Sequence, residues 1–285
     1  MTGQSYYNSD LFPIQAPMEI SSSGQYLVDA IQARSDLELA FVWNRTIDVV
    51  KGKLDNSYIL EDLSQFATRN ADLIVEVAHP SISKQYGSKF LQCADYMVGS
   101  PTALADQEVE TELRNAAKIH GLYIPSGAFW GGEDIKKMAD RGSLQGLKVT
   151  MKKHPQSFKL HGKLRDLNDT VKTEAAVLYD GPVRDLCPLA PNNVNTMAVA
   201  AIAAYNLGFD QVQGCLVSDP SLTDWHIVEV DVFGPGDMKS GTCFQVNTSR
   251  KNPSKLGAVT GTATYASFLS SLLGARGKGA GTHLC

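Results

Sequence analysis

The chain carries no positive charge before Arg34. A secretory leader opens on basic residues and an organellar transit peptide is rich in arginine, so neither is expected at the extreme N terminus. No Cys-x-x-Cys pair occurs, and the five cysteines, Cys93, Cys187, Cys215, Cys243 and Cys285, are odd in number and far apart. That spacing argues against a disulfide framework or a zinc ribbon and fits a reducing, cytoplasmic compartment. The longest apolar run, Met197 to Tyr205, falls far short of the roughly 20 residues a membrane-spanning helix needs. Basic residues are not in excess either. The net charge is -4, whereas a nucleic-acid surface needs a basic patch to neutralise phosphates. What remains is 285 residues, 43% hydrophobic and 20% charged, the composition of a soluble globular chain long enough for two cores.

The organising stretch is Leu122 to Asp134, LYIPSGAFWGGED. A short apolar strand leads into a Pro-Ser-Gly turn, and Glu133 and Asp134 suit the first turn of a following helix because they complement its positive end. Before this hinge, Tyr26, Leu27, Ala30 and Ile31 recur at helical spacing, and Leu37–Trp43, Leu73–Ala78, Tyr96–Gly99 and Leu122–Ile124 read as buried strands. Helices near 60–66, 83–92 and 106–119 separate them, the alternation of a parallel sheet with right-handed crossovers. After the hinge, strands are expected at 147–153, 175–179, 213–218, 226–233 and 242–248, in one antiparallel or mixed sheet, with helices at 196–205 and 263–273. The fold class is therefore α/β: a Rossmann-type parallel-sheet domain over 24–134 and a mixed-sheet α/β domain over 135–273. Residues 1–23, broken by Pro13 and Pro17, are expected to hold no strand of length, with at most a stub at Met18 to Ile20, and the glycine-rich tail 274–285 to be loose.

In such a fold, ligands bind beyond the carboxyl ends of the parallel strands. After Trp43 the sequence reads Asn44-Arg45-Thr46, with no acid to hold an adenosine ribose; Arg45 either pairs with a 2′-phosphate or is an exposed loop residue. His79 reads as a turn residue. The run Pro191-Asn192-Asn193-Val194-Asn195 precedes a helix, where one asparagine serves as a cap and another can hold a carboxamide. His226 follows the polar loop Ser218 to Trp225, and is the best general base in the chain by its titration range.

The motifs FVWNR, ADLIVEVAHP, VGSPTALAD, PSGAFWGGEDI, LYDGPVRDLCPLAPNNVNTMA, LGFD and SDPSLTDWHIVEV together resemble the L-aspartate dehydrogenase family, its animal branch in particular, from Gly24 to about Leu273. The resemblance implies a dinucleotide-binding domain, a second domain carrying substrate and dimer contacts, and NAD- or NADP-dependent oxidation of L-aspartate to iminosuccinate and oxaloacetate, with a link to NAD biosynthesis. It implies His226 as the catalytic histidine and Ala128 and Asn195 as cofactor contacts, with Asn193 as the alternative to Asn195. Substrate carboxylates would be met by Arg184 or by a lysine of the run Lys148 to Lys153, with Lys148 named first. No nucleic-acid or membrane partner is implied, and a homodimer is. One departure stands out: where the family has a Gly-x-Gly-x-x-Gly turn, this chain reads Ser21-Ser22-Ser23-Gly24, leaving Gly24 as the single surviving glycine. A catalytically silent binding protein of the same fold is the alternative that this departure raises.

Overall fold

The computed structural model describes residues 12–17, 22–237, 239–261 and 263–285. The first half alternates as its sequence demands: β1 (Phe12–Pro17), α1 (Ser22–Gln32), β2 (Leu37–Trp43), β3 (Leu73–Glu76), α2 (Pro80–Phe90), β4 (Asp95–Val98), α3 (Gln107–Ala116) and β5 (Gly121–Ile124). β3, β4 and β5 are inner strands, and β3 and β5 are buried at every position, so they read as unbroken apolar runs rather than alternating ones. Asp106 caps α3 by accepting from the amides of Glu108 and Val109, and Arg114 pairs with Glu110 one turn back. The expected helix at 60–66 is a 3-10 helix, Leu63–Arg69, with Asp62 as its cap.

The second half holds α4 (Gly132–Asp140), β6 (Gly146–Lys153), α5 (Gly162–Thr170), β7 (Ala176–Pro182), α6 (Val183–Leu186), α7 (Asn195–Ala203), α8 (Gly208–Gln211), β8 (Gln213–Ser218), β9 (Trp225–Phe233) and β10 (Gln245–Pro253). These five strands form one sheet in the order β10-β9-β6-β8-β7. β6 and β8 run parallel and the other neighbours antiparallel, a mixed sheet as expected. β10 begins three residues later than the predicted 242–248.

The chain then returns. α9 (Ala263–Ala275) and β11 (Gly281–Leu284) rejoin the first half, where β11 pairs with β5 and completes a six-stranded parallel sheet, β11-β5-β4-β3-β1-β2. On one face, Leu27, Val28 and Ile31 of α1 and Phe268, Leu272 and Ala275 of α9 pack on Leu39, Leu73, Val75, Met97 and Tyr123. On the other, α2 and α3 cover Ile74, Tyr96 and Leu122 in a core that runs on into the second half.

Two expectations about the ends are corrected. Residues 274–285 are not a loose tail, because β11 extends the sheet and α9 covers it, so α9 belongs with the first core and not with residues 135–273. Nor does the N-terminal segment lack a strand: β1 lies between β2 and β3. Its prolines are tolerated because they fall second and last, Pro13 and Pro17, while the pairing with β3 is confined to Ile14 and Gln15 and the register with β2 shifts between Ile14 and Ala16. The missing amides thus sit at the flanks of the ladder. The expected stub at Met18 to Ile20 lies outside the described residues.

Candidate active site

The carboxyl ends of the parallel strands open onto a crevice of about 970 Å³ of empty space, part of it open to bulk solvent. Its floor is Val77 and Ala78 after β3, Gly99, Ser100 and Pro101 after β4, and Pro125 to Ala128 after β5, with Ser23 from the first turn of α1 at one side. The opposite wall comes from the start of α7, Asn195, Thr196 and Val199, and from Val259, Thr260 and Thr264 on the returning chain. Gly127 sits in the left-handed region at φ 57°, where a side chain would be strained, and this lets the turn bend sharply out of β5 into the crevice. Gly99 cannot carry a side chain: a Cβ there would lie 2.0 Å from the Glu76 carbonyl oxygen. The floor is therefore bare backbone and small side chains.

The crevice continues into an inner chamber of about 490 Å³ against the second sheet. Ala128, Asn192, Asn195, Thr196, Val259, Thr260 and Thr264 line both spaces, while Met151 and Lys153 of β6, His226 and Val228 of β9 and Asn252 of β10 line the inner one alone. Strand parity explains the set. Lys153 shares a face of β6 with Leu147, Val149 and Met151, and His226 shares a face of β9 with Val228, Val230 and Val232; those faces are turned to the core.

His226 is 5% exposed. Its Nε2 is buried and has no hydrogen-bond partner among the described residues, and the Ala258 carbonyl lies near enough to the ring to favour its protonated form. Burial first, and then the neighbouring Lys153 charge, push its pKa down to about 4, against the opposing pull of that carbonyl. The ring is neutral at physiological pH and borders the chamber. Lys153, 3% exposed, donates from Nζ to the Val259 carbonyl at 2.9 Å and lies 5.8 Å from the centre of the Phe158 ring. Burial lowers its pKa to about 8. No carboxylate pairs with it among the described residues, so the chamber holds one uncompensated cation beside one unprotonated base.

The other expected residues divide. Asn195, the first residue of α7, accepts from Thr102 Oγ1 at 3.3 Å, and Thr102 also donates to the Pro191 carbonyl at 3.0 Å. This ties the floor of the first half to the wall of the second at the point where Ala128 also stands. Asn193 is otherwise engaged: its Oδ1 accepts from the Lys159 amide at 2.8 Å and its Nδ2 reaches the Ser157 carbonyl, so its amide holds the loop that backs the chamber. Gly24 is buried in the first turn of α1. Arg45 is exposed just beyond β2, where β2 and β1 end side by side at Trp43 and Pro17. It lines neither space.

Arg184 and Lys148 are placed outside the two spaces. Arg184 forks onto Asp210 at 2.6 and 2.8 Å and reaches the Ala105 carbonyl, and it lines neither the crevice nor the inner chamber. Lys148 pairs with Asp180 at 2.8 Å on the face of β6 opposite to Lys153. Both cations are spent on protein carboxylates. The cation that does face the chamber is Lys153, at the last position of the run that was named.

The small-residue floor at the strand ends and the amide of Asn195 would fit a nicotinamide dinucleotide, which would supply a hydride acceptor there. Comparison with known proteins bears on this. The family described as "Homoserine dehydrogenase, NAD binding domain" matches residues 23–125, and "Aspartate dehydrogenase, C-terminal" matches residues 134–271. The first half is an NAD-binding domain, and the cofactor is NAD or NADP. An aspartate dehydrogenase domain-containing protein of Xenopus tropicalis is 55% identical over 267 residues, covering 92% of this chain and 94% of its own. An L-aspartate dehydrogenase of Methanococcoides burtonii is 30% identical over 210 residues, covering 70% and 75%. Among solved structures, aspartate dehydrogenase of Thermotoga maritima has the same fold, with a TM-score of 0.65 at 20% identity, covering 94% of this chain and 98% of the other. With both halves matched in order and relatives aligned across most of their length, the chain belongs to the aspartate dehydrogenase family.

Proposed function

We propose that this protein is an NAD(P)-dependent L-aspartate dehydrogenase, oxidising the substrate to iminosuccinate, which hydrolyses to oxaloacetate. The observation that carries the reading is the pair at the end of the inner chamber: a buried imidazole with a free Nε2 lone pair beside a buried, unpaired ammonium. A small amino acid with an extra carboxylate supplies what both groups lack. Lys153 takes a substrate carboxylate, which restores the charge partner that its burial removed. Asn252, Thr196 and Thr260 offer neutral donors to the second carboxylate. His226 Nε2 takes a proton from the substrate ammonium, because only the free amine has the electron pair that stabilises the developing imine; the Ala258 carbonyl near the ring favours the protonated imidazole that this step forms. When bound, the dinucleotide supplies the acceptor for the Cα hydrogen.

Asn195 and Ala128 orient the nicotinamide end at the junction of the two spaces, and Ser23 and Gly24 meet the phosphates at the start of α1. Arg45 favours NADP by pairing with the 2′-phosphate. The open face of the second sheet, opposite to the chamber, suits a homodimer. The free state of all five cysteines agrees with a reducing cytosol, and iminosuccinate is the product that links the enzyme to NAD biosynthesis. The test is absorbance at the reduced-nicotinamide band with purified protein, NADP or NAD, and a panel of L-aspartate, D-aspartate, L-glutamate, L-alanine and L-malate. Turnover confined to L-aspartate is expected. Cofactor binding with no turnover on any of the panel would leave a silent binding protein of the same fold.

A further inference from the structure

A buried charged side chain at the crevice takes no part in the steps above. Glu76, the last residue of β3, is fully buried. Its carboxylate lies immediately under the floor and accepts from the Ala78 amide at 2.6 Å, the Ser100 amide at 2.8 Å and the Ser100 hydroxyl at 3.0 Å. The His79 amide adds a further bond. The Gly99 amide meets the backbone carbonyl of the same residue at 2.8 Å. Glu76 thus ties the loop after β3 to the loop after β4, the two loops on which the crevice rests. Every group aimed at the carboxylate is a donor, and a protonated carboxyl would have to place its own O–H into that set. Burial pushes its pKa up to about 7 while the amides and hydroxyl pull it down.

The arrangement has the wrong charge count for a purely structural brace. A buried carboxylate is ordinarily paired with a cation, and among the described residues no lysine, arginine or histidine forms an ion pair with Glu76. The floor above it, Ala78 and Ser100, borders the same crevice as Asn195 and Ala128, the residues proposed for the nicotinamide end, and a nicotinamide ring is cationic when oxidised and neutral when reduced. We propose that Glu76 is a positioning residue for the cofactor, its unpaired charge beneath the crevice floor favouring the oxidised form over the reduced one. The inference rests on the reading of the crevice as the dinucleotide site. It is independent of which acid is oxidised.

The thermodynamic consequence is a shift in the potential of the bound cofactor, because the ratio of the two dissociation constants is the coupling between binding and reduction. The experiment titrates NADP+ and NADPH separately into the full chain by calorimetry at about pH 8.5, where Glu76 is ionised, and at one ionic strength, for wild type, Glu76→Gln and Glu76→Asp. Glu76→Gln is expected to weaken the oxidised form relative to the reduced form by on the order of three- to ten-fold, the size of a screened unit-charge interaction across a protein loop. Glu76→Asp, which keeps the charge but shortens the reach to Ser100, is expected to weaken both forms and keep their ratio within about two-fold of wild type. If the glutamine variant does not fold, Glu76→Ser, which leaves room for water on the freed amides, is read in the same way. Equal loss of both forms in the uncharged variant would overturn the proposal and leave Glu76 a brace. Failure of the wild-type chain to bind either form would overturn the crevice reading itself.

Discussion

Replacing Lys153 with methionine should make the protein more stable and less active at the same time. The lysine is buried, and its pKa falls from 10.5 to about 8 because water is removed from the ammonium. At about 1.4 kcal/mol per unit, keeping that charge inside costs about 3 kcal/mol. Methionine has a similar length and no charge, so it recovers this cost, less about 1–2 kcal/mol for the Val259 carbonyl left without its donor. The net gain at pH 7 is about 1–2 kcal/mol, or roughly 2–8 °C in Tm for a protein of this size. The sign with pH follows from the depressed value. Below pH 8 the ammonium is charged both folded and unfolded, and the full cost is present. Between pH 8 and 10.5 the unfolded chain holds the proton while the folded one has lost it, so wild-type stability rises with pH relative to the variant, and above 10.5 the cost is gone. Thermal melts of both proteins without ligand at pH 7 and pH 10, beside initial rates with L-aspartate at pH 7, test all three parts. A variant that melts lower at pH 7, or whose advantage is the same at pH 10, would refute the burial argument; a variant with normal KM for aspartate would refute the role in carboxylate binding.

His226→Ala should lower kcat/KM by about 10²- to 10⁴-fold with cofactor binding intact, and the acid limb of the wild-type kcat/KM profile should fall near pH 4, where Nε2 of the free enzyme takes a proton, instead of near the ordinary value of 6.5. The same depressed value means that wild-type stability is lost as pH drops from 6.5 toward 4, because the unfolded histidine protonates first; a pH series of melts should show that slope shrinking in the alanine variant. Arg45→Ala should weaken NADP binding by about ten-fold, as for one lost charge-assisted contact, while leaving NAD within two-fold; equal losses in paired titrations would place the guanidinium elsewhere. Arg184→Ala and Lys148→Ala should each leave KM for aspartate within about two-fold, since these exposed ion pairs lie away from the chamber, and a KM rise of ten-fold in either would return it to the site. Gly99→Ala should cost several kcal/mol or prevent folding, because its Cβ would meet the Glu76 carbonyl oxygen at 2.0 Å; a denaturant midpoint equal to wild type would show that the floor can move.

The buried strands and their order along the chain could be read from apolar runs, because an inner strand of a parallel sheet is apolar on both faces. Leu37–Trp43 and Gln213–Ser218 appear with their expected bounds. β1 could not be read this way, since two prolines in six residues argue against a central strand unless it is known which ladder positions need an amide, and that is set by the neighbours. β11 and the second role of α9 were hidden for another reason: the tail is rich in glycine, and only the exposed edge of β5 gives it a partner. In the site, His226 and Asn195 stood out as residue types placed after polar loops, whereas Lys153 was confused with Lys148 although strand alternation separates them. Leu147, Val149 and Met151 share its parity and are apolar; a lysine continuing that series faces the core. Glu76 carried a similar signal, a lone acid inside LIVEVA, whose meaning needed the two loops that close over it.

The return of the chain to the first sheet changes what kind of assembly this is. The backbone joins residues 132–261 to the parallel sheet at two stitches, the outgoing Pro125 to Gly131 and the incoming segment up to Gly261, and both run along the crevice beside the shared core. Two leaves bound at two points along a spine turn about the line between those points and resist sliding or twisting across it. The reactive end of the crevice lies at the spine, where turning displaces atoms least, and the exposed outer edges of the two leaves sweep furthest. Labels on Ile119 and on Val177 of the edge strand β7, exposed on opposite leaves, should therefore report larger distance changes on cofactor binding than a label beside His226.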